Sequence, residues 1–199
     1  MDAYRYPSRR HRRKHGPRGY RNAIEFRPWL RDEFLFRCIY CLEREQWVNR
    51  IGHFHGDHFL PVADHPDLAL EYDNLLYVCQ ACNFRKGKQD VPDPLRVLLS
   101  SAVTVRRDGS IQGRTKEARR LIEALRLDSP SYRRRRRLMI EILSMAARFN
   151  RALYRELMGF PEDLPNLEDH EPPGGNTRPA GVKNCCFALR QQGKLPETY

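Results

Sequence analysis

Cys38-Ile39-Tyr40-Cys41 and Cys79-Gln80-Ala81-Cys82 are two pairs of soft ligands, each at the spacing that tetrahedral zinc uses. The 37 residues between the pairs exceed the ~15–20 of an ordinary zinc ribbon, so something substantial is inserted between the two knuckles. Four thiolates leave no open coordination position, which makes this zinc structural and not catalytic. The plain alternative is four unrelated buried cysteines.

The insert carries His55-Gly56-Asp57-His58-Phe59-Leu60-Pro61 and then Tyr72-Asp73-Asn74-Leu75-Leu76-Tyr77-Val78. Residues 52–61 alternate as a short strand that ends at Pro61. Asp73-Asn74 marks a turn, Leu75–Val78 is a short buried run, and a short helix is predicted over Cys82–Lys88.

These residues, in this order, resemble the HNH endonuclease family in its zinc-stapled form; the likeness covers about residues 36–90. The resemblance implies a hairpin followed by a helix, clasping one metal ion. It also implies that Asn74 ties the hairpin together and orients His58 without binding metal. Asp108-Gly109-Ser110-Ile111-Gln112-Gly113-Arg114-Thr115 and the helix after it resemble, less specifically, a C-terminal extension of some bacterial members.

Chemistry supports the same assignment. Phosphodiester hydrolysis needs a base for water and a cation to neutralise the charge that builds on the phosphate. An unperturbed imidazole titrates near ~6.5, which suits His58 as base. Asp57 and Asn83 offer oxygen ligands, which favour Mg²⁺ or Mn²⁺. Strand neighbours face opposite ways, so Asp57 can serve the metal while His58 serves the water. Asn83 stands where many relatives have histidine, which points to a weaker site for a hard ion. His55 shares the strand face of Asp57 and is an accessory candidate for phosphate or metal; His53 and His65 carry less. Arg85, Lys86 and Lys88 are candidates for holding strand phosphates, with a plain solvated helix face as the alternative. Taken singly, Asn74 could be turn chemistry, Asp57 a surface carboxylate and His58 a structural histidine.

The remainder of the chain frames this core. Of 199 residues, 36 are Lys or Arg and 25 are Asp or Glu, a formal charge of +11. Such a surplus favours polyphosphate partners through counterion release, DNA here with RNA left open. Residues 1–29 are expected as a flexible basic arm, 30–94 as the nuclease domain, 95–160 as a hairpin plus helical extension, and 161–199 as a loosely ordered tail. The hairpin is expected over 95–112, with Val97, Leu98 and Leu99, then Val103 and Val105, flanking the turn Asp108-Gly109 before Ile111. Thr115 is read as capping a helix to about Leu127, and Ser129-Pro130 as opening a longer one. Leu138, Ile142, Met145, Phe149 and Leu153 are expected as its one buried stripe. Against the cationic run Arg133–Arg137 at that helix start, phosphate or acids of the fold are expected to offset the dipole. Cys185 and Cys186 receive no role.

The fold class expected is α+β: a ββα-metal core stapled by zinc, a β-hairpin and C-terminal helices. There is no transmembrane-length apolar run and no secretory signal, so a bacterial cytoplasmic protein, nucleoid-associated when acting, is expected. An Arg-rich transit peptide fits poorly, since the N-terminus is poor in Ser. The rival function is a non-catalytic zinc module that binds nucleic acid; it explains cysteines and charge, but not Asp57-His58 with Asn83. A mobile-element nuclease would need an added sequence reader, and none is recognisable. A bacterial defence or toxin-like nuclease fits better, by analogy alone. Oligomeric state is not legible.

Overall fold

The computed structural model describes residues 3–48 and 53–199; of the expected strand over 52–61, Gly52 lies outside the described residues. In chain order the helices and strands are α1 (Arg27–Glu33), β1 (Phe54–His58), β2 (Leu75–Cys79), α2 (Gln80–Lys86), α3 (Pro94–Val97), β3 (Val103–Val105), β4 (Ile111–Gly113), α4 (Lys116–Ala124), α5 (Pro130–Phe149), α6 (Arg151–Met158), α7 (Ala180–Lys183) and α8 (Cys186–Gln191). The fold is α+β, with two separate two-stranded antiparallel sheets, β1-β2 and β3-β4. Among the described residues no helix is long and apolar enough to cross a membrane. The chain divides into two compact units.

One unit comprises Arg12–Cys38, Glu43–Gln80 and Phe160–Tyr199. Its core is α1 laid on the β1-β2 hairpin, with Phe26, Trp29, Leu30, Phe54 and Leu75–Val78 buried. Pro28 in the first turn of α1 suits a position whose amide needs no partner. The rings of Phe54 and Tyr77 stack across the hairpin at 5.2 Å. Glu45 ties these parts together: it takes two bonds from Arg31 of α1, at 3.0 and 2.8 Å, and one from the Tyr77 hydroxyl at 2.5 Å.

The segment from Phe160 onward, expected as a loose tail, contributes α7, α8 and a cluster of Phe36, Leu164 and Cys186. The N-terminal stretch, expected as a flexible arm, is anchored in the same unit: His15 is buried, Pro17 bridges Asn176, and the Gly16 amide donates to Asn176 Oδ1 at 3.0 Å. Composition hides this, because what is buried there is polar backbone and paired charge.

The other unit comprises Met1–His11, Ile39–Leu42 and Ala81–Gly159. Here too the N-terminal stretch packs, with Tyr4 and Tyr6 buried and the Tyr6 hydroxyl donating to the Tyr40 carbonyl at 2.7 Å. The hairpin is shorter than expected. Asp93 caps α3, whose first residue is Pro94, so Val97 is helical and only Val103–Val105 pairs with Ile111–Gly113. Gly109 has φ +81, and a side chain there would strike the Arg133 carbonyl. Thr115 caps α4 through the Ala118 amide, and Leu121, Ile122 and Leu125 are buried.

Helix α5 begins at Pro130 as expected, but it turns a different face inward. Arg136, Met139, Leu143 and Ala146 are buried. The stripe expected inside is exposed: Leu138 by 41%, Ile142 by 44%, Met145 by 64%, Phe149 by 72% and, on α6, Leu153 by 37%. The buried Arg136 guanidinium explains the rotation. It donates to the carbonyls of Gly109 and Leu127, both at 2.7 Å, and these bonds fix the inward face.

Candidate active site and zinc centre

The Sγ atoms of Cys38, Cys41, Cys79 and Cys82 all lie within 4.8 Å of one another, and all four residues are buried. Thiolates at about 2.3 Å from tetrahedral zinc stand roughly 3.8 Å apart, so the group fits that ion. At the first knuckle the Cys38 amide donates to the Glu43 carbonyl at 2.9 Å, and Leu42, at φ 60, turns the chain after Cys41. The Cys82 sulfur lies 3.2 Å from the Tyr132 hydroxyl, a contact of the kind that orients metal ligands. Among the described residues the cysteines form the one group of three or more Cys, His, Asp or Glu placed to hold a metal.

The hairpin pairs Asp57 with Leu76 and His58 with Leu75. Asp57 is buried and His58 half-buried. Between the strands the chain makes a long loop, and Asn74 closes it. Its Oδ1 accepts from the Leu60 amide at 2.8 Å, its Nδ2 donates to the carbonyls of Leu60 (3.1 Å) and Leu68 (3.3 Å), and its own carbonyl accepts from Phe59 at 2.8 Å. His58 Nε2 lies 2.8 Å from the carbonyl of Ala69 in that loop. A carbonyl only accepts, so Nε2 carries the hydrogen, and in the neutral ring the lone pair falls to Nδ1.

The other expected residues divide. His55 is half-buried on β1 opposite Val78, and by strand alternation it shares the face of Asp57. Asn83 is half-buried on α2, one residue after the last zinc cysteine. Lys86 is buried. The Arg85 guanidinium reaches the carbonyls of Leu125 (3.3 Å) and Arg126 (3.1 Å) and lies 4.4 Å from the centre of the Tyr132 ring. Arg85 therefore anchors α2 to the turn before α5, Lys86 is buried, and Lys88 alone of the three is exposed.

A polar network at the back of the hairpin was not legible in sequence. Glu33 accepts from the amides of Lys14 and His15 and from the Tyr72 hydroxyl, while Arg13 donates to the carbonyls of Asp73 and Leu75. Arg178 grips the Asp73 carboxylate with two bonds, at 3.0 and 2.8 Å. The residues on either side of Asn74 are thus held by partners at positions 13 and 178. Asp32 is buried with His15 Nε2 at 2.8 Å and Lys14 Nζ at 2.9 Å. Burial pushes its carboxyl up, but the bond from His15, the charge of Lys14 and the Cys186 amide together hold it below the carboxylate range. Residues 15 and 32 carry no motif spacing, so only the fold could bring them together.

With this geometry in view, a family model described as HNH endonuclease matches residues 38–89. That segment contains the four cysteines, β1, β2 and α2, and with them Asp57, His58, Asn74 and Asn83. That segment is similar to the HNH endonuclease family and carries the four-cysteine cluster, a likeness that points to a nuclease or another activity on nucleic acid. Comparison with curated proteins found no match.

Proposed function

We propose that this protein is a metal-dependent endonuclease that hydrolyses phosphodiester bonds in DNA. The observation that carries the proposal is the tether of His58 within the matched segment: Nε2 is committed to the Ala69 carbonyl, in a loop that Asn74 closes. Nδ1 then takes a proton from water as the water attacks phosphorus. Asn74 acts at one remove, by fixing the loop that sets the ring. Asp57 and Asn83 are the oxygen ligands for Mg²⁺ or Mn²⁺. A set with a single carboxylate suits such an ion, which keeps several waters and uses phosphate oxygens of the substrate. When bound, the ion supplies positive charge against the phosphate and leaving oxygen. The cysteine cluster holds structural Zn²⁺. Lys88 is a phosphate contact and His55 an accessory one. The protein acts in the bacterial cytoplasm, on the nucleoid, where such DNA lies.

The test is incubation of zinc-loaded protein with supercoiled plasmid in Mg²⁺, Mn²⁺ or EDTA. Nicked or linear plasmid is expected in either metal and none in EDTA. His58→Ala should lower the rate about 10²–10⁴-fold with DNA binding near normal. Cleavage by His58→Ala at the unaltered rate would sink the mechanism. Plasmid binding without cleavage in both metals would instead identify a non-catalytic zinc module.

A further inference from the structure

We propose that the exposed seam of α5 is the contact face of a homodimer, in which two copies of this helix pack antiparallel about a two-fold axis. Leu138, Ile142, Met145 and Phe149 recur at intervals of four, three and four residues, the spacing of a helix–helix seam. They are between 41 and 72% exposed, although the helix core is formed by other residues. A contiguous apolar row of this kind on a cationic helix marks an interaction surface.

What selects a second copy is the symmetry of the patch. A two-fold interface requires one surface to be complementary to itself. The seam is symmetric about the point between Leu143 and Ser144. An antiparallel copy brings Leu138 against Phe149 and Ile142 against Met145, each pairing occurring twice. On one flank of the seam stand Glu141 and Arg148, seven residues apart and of opposite charge. In the same register Glu141 of each copy faces Arg148 of the other, so the patch contains both halves of its own ion pairs. Within its own chain Glu141 has Arg137 at a loose 3.9 Å, with both side chains more than half exposed, which leaves it able to turn outward.

Charge also fixes the direction. Parallel packing would stack the two Arg133–Arg137 runs on one another. Antiparallel packing sets the exposed Arg134 of each copy near the partner's α5 C-terminus, where the last carbonyls carry partial negative charge. The seam is independent of the nuclease reading, since α5 lies outside the matched segment.

The experiment is sedimentation equilibrium of the full, zinc-loaded chain and four variants, with helical circular dichroism and bound zinc measured alongside. The parent chain is expected at twice its 23.5 kDa. Ile142→Glu should be monomeric with unchanged zinc. Glu141→Arg and Arg148→Glu should each weaken dimerisation by at least about tenfold, because each sets like charges face to face. The double swap E141R/R148E should return to within a few-fold of the parent, which a merely damaged helix would not do. A parent chain that stays monomeric at about 100 µM, well above the range of specific interfaces, overturns the proposal and leaves the seam to another partner. A dimer that survives Ile142→Glu, or single swaps that the double swap does not rescue, overturns it as well.

Discussion

His58 and Asp32 show how differently single residues announce themselves. His58 stands out in the sequence because it sits in a spaced motif, and the structure sets its Nε2 against the Ala69 carbonyl. Asp32 was invisible, since its partners His15 and Lys14 are assembled only by the fold. Its pH dependence has a definite sign. A carboxyl held below its unfolded value contributes stability that is fully present above about pH 4 and disappears as pH falls through the native value. Asp32→Asn should cost about 3–5 kcal/mol at neutral pH, because Lys14 and His15 lose their buried partner. The same variant should unfold with a flatter acid limb than the parent. Urea midpoints followed from neutral pH to about pH 3 check both, and an unchanged acid slope would remove Asp32 from the account. Cys185 and Cys186 resolve at this scale too: both are buried, burial raises both thiols, and Cys185 caps α8 through the Ala188 amide.

Among the elements, those that carry local signals were legible: β2 as a buried run, α2 at the second cysteine pair (two residues earlier than the expected Cys82–Lys88), α4 behind Thr115 and α5 behind Ser129-Pro130. Two were misread, each for a physical reason. Residues 94–97 are apolar enough for a strand, yet Asp93 and Pro94 form a helix start that overrides that preference. On α5 the seam residues are the more hydrophobic row, and periodicity alone puts such a row inside. The fold instead rotates the helix to bury Arg136, which serves two carbonyls that no apolar side chain could satisfy. Of the arginine run that opens this helix, Arg133 pairs with Asp128 and Arg136 is buried, so acids and carbonyls of the fold offset part of the dipole penalty. Arg136→Met should therefore cost about 2–4 kcal/mol, from two buried carbonyls left unpaired. The exposed Arg134→Gln should stay within about 0.5 kcal/mol. Thermal melting of zinc-loaded protein separates the two, and equal melting points would show that Arg136 is not holding the turn.

For the whole molecule, the N-terminal stretch serves folding before it serves charge. Deleting residues 1–21 removes Arg13, Lys14 and His15 and leaves Asp32 and Glu33 buried without them. The expected outcome is protein that fails to fold, so truncation cannot measure electrostatics here. The exposed Arg5, Arg9, Arg10 and Arg12 can be changed to Gln without that damage. The quadruple variant should keep its melting point, while the log–log salt slope of duplex binding falls by roughly 0.9 for every phosphate these arginines had neutralised. An unchanged slope would mean that these four arginines do not meet DNA. The clasp of Gly16 on Asn176 has one more consequence, and it concerns synthesis. The two residues are 160 positions apart. At about 5–20 residues per second, a ribosome makes the second roughly 8–30 s after the first. Throughout the later part of that interval the nascent chain already holds all of residues 38–89 but lacks the strap that grips Asp73 through Arg178. The Asp73 carboxylate beside Asn74 is therefore among the last groups of the protein to be gripped, and a chain interrupted before Asn176 lacks that ion pair while keeping the bonds from Arg13 and Asn74.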